Sequence, residues 1–471
     1  MNFALFWQVN YCFALVSILF FYSSTKSVAR GFENDNPQNS LLLKKDYYSD
    51  TVFNHLPDLF STIQKITVLK ELPPRIPTIN YGARLPKTMH MLSNSTLQNR
   101  EKIRILLFGQ SIMAAPYVRE AIEADLTSRF PNADLEIIHD AIGGYEAPFL
   151  VKTANHMIYP RYPDLVVMHC YGGEGGEFEQ IIKDIQTYTT AEILTWTHHV
   201  DNFNAEKDEE REVASQLRRD LAKQYNLEIA EVREQWKKYL EMHNLSRGDL
   251  LVDNIHHNQH GGNLLGALLT RYFEDPVADP STWQDKIRNV QLPQLSNLGD
   301  VLQGNWQTDN NGYKSNDTDA KLVYAFDGNR IDIGTMPIAE NLGKATILID
   351  GKKPSDHIGT WAVSLPSRLN NYNRPGIMKV DLVGLPEQND TWTLTVTEVS
   401  ADGRTFNYNV KSAVDGPQGS GNQSSTFISK NSLISIKPEN FSFWHAASIG
   451  RLPAAPFDVT WEVYNDGSDI W

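Results

Sequence analysis

Cysteine is almost missing. Cys12 and Cys170 are the two in 471 residues. Cys12 lies in an N-terminal apolar segment, so no disulfide framework and no cysteine-based zinc site fits within a mature chain. Basic blocks are missing too. Lys and Arg number 43 against 57 Asp and Glu, a formal net charge of −14. Nucleic-acid binding needs cationic patches that displace counterions, so this balance argues against it. A charged n-region is absent ahead of the apolar run 3-FALFWQVNYCFALVSILFFY-22. Even so, Ser27 and Ala29 place small residues at the −3 and −1 positions of a cleavage site. We read residues 1–29 as an export signal or, alternatively, as an uncleaved anchor through residues 3–22 that tethers the chain to a membrane. Either way the body is expected outside the cytoplasm: secreted, periplasmic or on the cell surface.

What is present is globular. The chain is 41% hydrophobic and 10% aromatic, over a length that implies two or three domains. Residues 30–98 are polar with proline pairs and read as an extension that wraps the next domain. Residues 99–278 alternate strand and helix patterns. Apolar runs at 103–108, 135–140, 165–170, 192–198 and 227–232 are separated by helical periodicity, as at Val118, Ile122, Leu126 and Phe130. That grammar predicts an α/β domain: a three-layer α/β/α sandwich on a parallel sheet. Residues 279–471 change to short alternating strands with Asp-Gly turns at 327–328, 350–351 and 402–403. An all-β sandwich is expected there, with 414–425 as a low-complexity loop. Trp306, Trp361, Trp392, Trp444 and Trp461 are candidates for stacking on sugar rings, although core packing is the commoner use of tryptophan.

The chemistry begins at 105-ILLFGQSIMAAP-116, where a core strand runs into Gly109-Gln110-Ser111 ahead of a helix. A serine at the carboxyl end of a parallel strand is placed for nucleophilic attack; by itself it also reads as a helix cap. A nucleophilic serine needs a base, and the base needs an orienting acid. The stretch 250-LLVDNIHHNQHGGNLL-265 supplies Asp253 and His256 as Asp-x-x-His, with His257 and His260 as rivals for the base. His198, His199 and Asp201 end the fourth strand. With His256 and Glu174 they are an alternative metal site, while substrate contact is an equal use for His199.

These residues resemble the SGNH (GDSL-type) hydrolases over about residues 100–275. Gly109-Gln110-Ser111 resembles their Gly-Asp-Ser block, and 253-DNIHHNQHG-261 their Asp-x-x-His block. The stretch 140-DAIGGYEA-147 resembles the block whose glycine donates to an oxyanion. The resemblance implies a flavodoxin-like fold, a Ser111–His256–Asp253 triad, and an oxyanion hole from the N–H groups of Ser111 and Gly144 (or Gly143). No cofactor is expected. Two places depart from the family. Gln110 replaces its Asp, and 169-HCYGGEGGEFE-179 lacks the Asn that supplies a third oxyanion donor. Glu174 stands near that Asn's place and is a candidate substrate contact with His199. The expected function is an exported ester hydrolase acting on acylated carbohydrate. The alternatives are a non-catalytic carbohydrate-binding surface protein on the same fold, or an acyltransferase. Since every proposed catalytic group precedes residue 262, the α/β domain is expected to act without the β domain.

Overall fold

The computed structural model describes residues 2–10, 69–97, 100–274, 298–309, 312–328, 331, 344–369, 374–465, 467 and 469. Strand β1 (Asn2–Asn10) pairs antiparallel with Lys321–Asp327 and with Lys344–Ile349. The rest of the apolar run and the cleavage position after Ala29 lie outside the described residues. Among the described residues no helix is long and apolar enough to cross a membrane.

The α/β domain carries β2 (Lys102–Gly109), β3 (Asp134–Ala141), β4 (Leu165–His169), β5 (Glu192–Trp196) and β6 (Glu228–Ala230). They form one parallel sheet in the order β3-β2-β4-β5-β6. Alternate side chains of a strand point to opposite faces, and the cores follow that rule. Ile103, Ile105 and Leu107 of β2 enter one apolar core, while Leu106 and Phe108 enter the other. Helices α1 (Pro86–Asn94), α3 (Pro116–Arg129), α7 (Val232–Met242) and α8 (Gln259–Thr270) cover the first face. Helices α4 (Ala147–Met157), α5 (Glu177–Tyr188) and α6 (Ala205–Gln224) cover the second. A sheet covered on both faces must be apolar on both, which is why these strands read as continuous hydrophobic runs. The stripe on α3 is as expected: Val118, Ile122 and Leu126 are buried.

The described part of the extension lies against this domain. Gly82 and Arg84 donate backbone N–H groups to the Glu228 carboxylate at 3.2 and 2.7 Å. Lys87, 1% exposed, reaches Asp164 and the Thr190 carbonyl.

Beyond residue 344 the strands are antiparallel. A five-stranded sheet orders Trp361–Val363, Phe457–Asn465, Asp390–Val399, Phe406–Ser412 and Gly416–Asn422. Asp381–Leu382, Ile434–Ile436 and Phe427–Ile428 make a smaller sheet, and the two share one core. Two expectations need correction. Gly416–Asn422 is an edge strand paired with Phe406–Ser412, so most of 414–425 is not loop. Trp392, Trp461 and Trp361 are buried in the core, 0%, 2% and 8% exposed, and have no face free for a sugar.

The β region is interlocked with the α/β domain. Met378 is buried in the core beneath α4 and α5. His156 of α4 donates from Nδ1 to the Val363 carbonyl at 2.8 Å, and its Nε2 accepts the Val380 N–H at 3.3 Å. Burial pushes the His156 pKa down to about 4, which keeps the ring neutral and able to accept at Nε2.

Candidate active site

Strand β2 ends where the chain crosses between the two halves of the sheet, the crevice in which open α/β sheets bind ligands. Gly109 pairs with Ala141 on one side and His169 on the other. A Cβ on Gly109 would collide with the His169 carbonyl, so only glycine lets the two strands approach this closely. The next turn is the short helix α2 (Ser111–Ala114). Its cap is Gln110, whose Oε1 accepts the Ile112 N–H at 2.8 Å. Ser111 is therefore not spent on capping. It stands as the first helical residue, half-buried, with its hydroxyl within reach of His256.

The loop before α8 presents Asp253 and His256. Asp253 Oδ1 accepts the N–H groups of Ile255 and His256 at 2.8 and 2.7 Å, which curls the loop tightly. The Oδ2 atom lies 2.7 Å from His256 Nδ1, and His256 Nε2 lies 2.8 Å from Ser111 Oγ. With Nδ1–H donating to the carboxylate, Nε2 is the acceptor for the serine proton. Some burial opposes charge on Asp253. The two backbone donors and the His256 ring outweigh it and hold the carboxyl down at about 2. The Asp253 and His256 side chains are 53% and 42% exposed, so a substrate can reach them. The rival histidines lie elsewhere. His257 is buried against His199 and Trp236, and His260 meets the Tyr239 hydroxyl at 2.6 Å.

His199 is 1% exposed and turned inward. Its Nε2 lies 2.9 Å from the Ile255 carbonyl, within the loop that carries Asp253 and His256. Asn202 N–H bonds the Asn254 carbonyl of that loop at 2.8 Å. The segment after β5 therefore splints the loop. In this arrangement His199 supports the site's shape and does not face a substrate. Burial pushes its pKa down to about 3.

Glu174 also faces inward. Its Oε1 lies 3.2 Å from Nη2 of Arg218, whose side chain is fully buried, and 3.4 Å from His198 Nε2. Arg218 also bonds the Cys170 carbonyl. From His198 the chain of contacts runs to His169 Nε2 at 3.0 Å, and from His169 Nδ1 to Gln110 Nε2 at 3.2 Å. Gln110 Oε1 in turn lies 3.0 Å from Ser111 Oγ. Glu174, expected as a substrate contact, is instead committed to Arg218 and His198. His198, His199, Asp201, Glu174 and His256 do not gather as a metal site; no such cluster occurs among the described residues.

The glycine turn after β3 lies beside β2, since Ile142 N–H bonds the Gly109 carbonyl at 2.8 Å. Gly144 has φ +72°, a conformation that suits glycine. Among the described residues neither the Gly144 N–H nor the Ser111 N–H has a protein acceptor. Above this turn sits Arg374 of the β region. Its Nε donates to the Gly143 carbonyl at 2.6 Å, and it contacts the ring of His445.

Three residues of this site were not foreseen from sequence as its parts: Arg218, Arg374 and His445. His169, which stands at the start of the stretch that lacks the Asn, meets Gln110 and His198 through its two ring nitrogens. Arg374 follows Ser111 by more than half the chain, in a stretch with no motif, and nothing in the sequence points to it.

No family model matches the sequence, and no curated protein matches it. Solved structures do. An acetyl xylan esterase, AlAXEase, is 23% identical with a TM-score of 0.32, over 36% of this chain and 98% of that one. Axe2, an acetylxylan esterase from Geobacillus stearothermophilus, is 15% identical with a TM-score of 0.33, over 38% and 97%. LAE5, an alpha/beta hydrolase from the metagenome of Lake Arreo, Spain, is 17% identical with a TM-score of 0.31, over 36% and 96%. At these values the likeness assigns no role to any residue.

Proposed function

We propose that this chain is an exported serine esterase of the SGNH kind that removes acyl groups from carbohydrate. The observation that carries the esterase reading is the hydrogen-bonded run Asp253–His256–Ser111, at 2.7 and 2.8 Å, on the carboxyl edge of a parallel sheet. His256 Nε2 takes the Ser111 proton as Oγ attacks the acyl carbonyl. The N–H groups of Ser111 and Gly144 donate hydrogen bonds to the resulting oxyanion. His256 then passes its proton to the leaving alcohol as the C–O bond breaks. Water, deprotonated by the same ring, releases the acid and restores Ser111. Asp253 fixes the tautomer of His256 and offsets the charge of its imidazolium.

The carbohydrate part of the reading rests on the N-terminal apolar segment and the two-region layout alone, since three of the five tryptophans are core. The test is acetate release from a panel of acetylated glycans, with fluorophosphonate labelling of Ser111. Ser111→Ala and His256→Ala should each lower hydrolysis by at least ~10³, and Asp253→Ala by less. Full activity in Ser111→Ala would remove the triad. Transfer to an added alcohol in place of hydrolysis would make the protein an acyltransferase. Glycan binding without labelling would leave it a binding protein.

A further inference from the structure

We infer that Arg374, brought from the β region, is the positioning residue for the oxyanion donor Gly144; this rests on the esterase reading above. In a trans peptide the carbonyl of one residue and the N–H of the next point in opposite directions. The Gly143 carbonyl is drawn toward Arg374 by the Nε bond of 2.6 Å. The Gly144 N–H is therefore directed away from Arg374, and among the described residues it meets no acceptor. On either side the turn is tied down, by Ile142 N–H to Gly109 of the sheet and by Ala147 N–H to the carbonyl of Tyr171, just past β4, at 2.9 Å. The peptide between Gly143 and Gly144 is held by Arg374.

Arg374 is itself built in. It is 9% exposed, and its guanidinium carbon lies 5.3 Å from the centroid of the Tyr145 ring. His445 contacts the guanidinium, and Ser442 bonds the carbonyls of Pro375 and Gly376 next to it. The guanidinium also fills the space beside Gly144, where a Cβ would fall onto Nη2. Gly144 is thus confined twice, by its left-handed backbone and by the cation against it. An oxyanion donor must stand about 3 Å from where the charge develops. A peptide free to rotate would lose that aim, and a displacement of about 1 Å at such a group can cost ~10²-fold in rate.

The full chain with Arg374→Ala and Arg374→Lys should be compared with wild type on a short acyl ester, with kcat, KM and the pH profile measured separately. Loss of positioning lowers kcat by about 10- to 100-fold and leaves KM within about two-fold, because the donor acts on the transition state. The pH profile keeps its midpoint, since His256 and Asp253 are untouched. Added guanidinium or methylguanidinium at millimolar concentration should restore part of kcat in Arg374→Ala and none in Ser111→Ala. An Arg374→Ala protein of normal melting behaviour and wild-type kcat overturns the inference. If that variant fails to fold, wild-type kcat in Arg374→Lys overturns it equally, because a lysine has no Nε–H at that place. A wild-type chain that neither hydrolyses esters nor labels at Ser111 overturns the esterase reading, and the positioning role with it.

Discussion

His169 and His198 face each other across 3.0 Å, Nε2 to Nδ1, with both rings fully buried. Their burial, reinforced by the nearby Arg218 cation, holds both pKa values well below the ordinary histidine value. Both rings are therefore neutral, and each has one N–H to place. The direction is forced from one end. Gln110 Oε1 accepts from Ile112, so its amide nitrogen must donate to His169 Nδ1. His169 then donates from Nε2 to His198, and His198 donates from Nε2 toward Glu174. Nitrogen-detected NMR on histidine-labelled protein should find the proton on Nε2 of both rings from pH 5 to 8. A proton on Nδ1 of His169 would reverse the relay and turn the Gln110 amide over.

At the far end of that relay, Glu174 is the carboxylate that balances buried Arg218. Removing one partner of a buried ion pair strands the other charge, at ~3–5 kcal/mol. Glu174→Asn should therefore lower stability on that scale in urea denaturation, and should not raise kcat. A loss under ~1 kcal/mol would show that Arg218 is satisfied without it.

Because Met378 completes the core under α4 and α5, and His156 is bonded to Val363 and Val380, a chain ending near residue 280 loses both supports. It is expected to be insoluble or to unfold well below the full chain, contrary to the sequence-based expectation that the α/β domain acts alone. Calorimetry of the two chains decides this. A truncated chain with full-length stability and activity would mean that the interface is incidental.

Glu228 sets a pH dependence. Burial raises its carboxyl from the ordinary glutamate value to about 7, against the opposing N–H groups of Arg84 and Gly82. Between those values the folded state holds a proton that the unfolded state has shed, so stability falls as pH rises through this window. The contribution is fully present below the unfolded value and is gone above about 7. Its size is at most roughly 3 kcal/mol, and less once solvent relaxes around the group. Urea midpoints from pH 4 to 8 should show the decline, and Glu228→Gln should flatten it.

Local and periodic features were the legible ones. The runs around Ile105, Leu165 and Leu194 announce buried strands because each is apolar on both faces. Asp253 and His256 are legible as a pair because three residues of loop suffice to join a carboxylate to an imidazole. Helices α4 and α7 are harder to read. The stretch 147-APFLVKTANHM-157 begins beside a glycine turn, and Trp236 and Tyr239 of α7 are large aromatics that patterning alone leaves ambiguous. Glu174 read as a charge near the substrate because no sequence rule brings Arg218 to it from the middle of another helix. Long-range polar pairing has no period, and Arg374 on Gly143 is the extreme case.

The interlock through His156, Val363, Val380 and Met378 also has a consequence in time. A ribosome delivers Ser111, Asp253 and His256 well before the segment that closes the core beneath α4 and α5. Chains interrupted between those points carry every residue of the triad and an open apolar face. Completion of the polypeptide, and not the appearance of its reactive groups, is then the event that separates an inert nascent chain from a finished one.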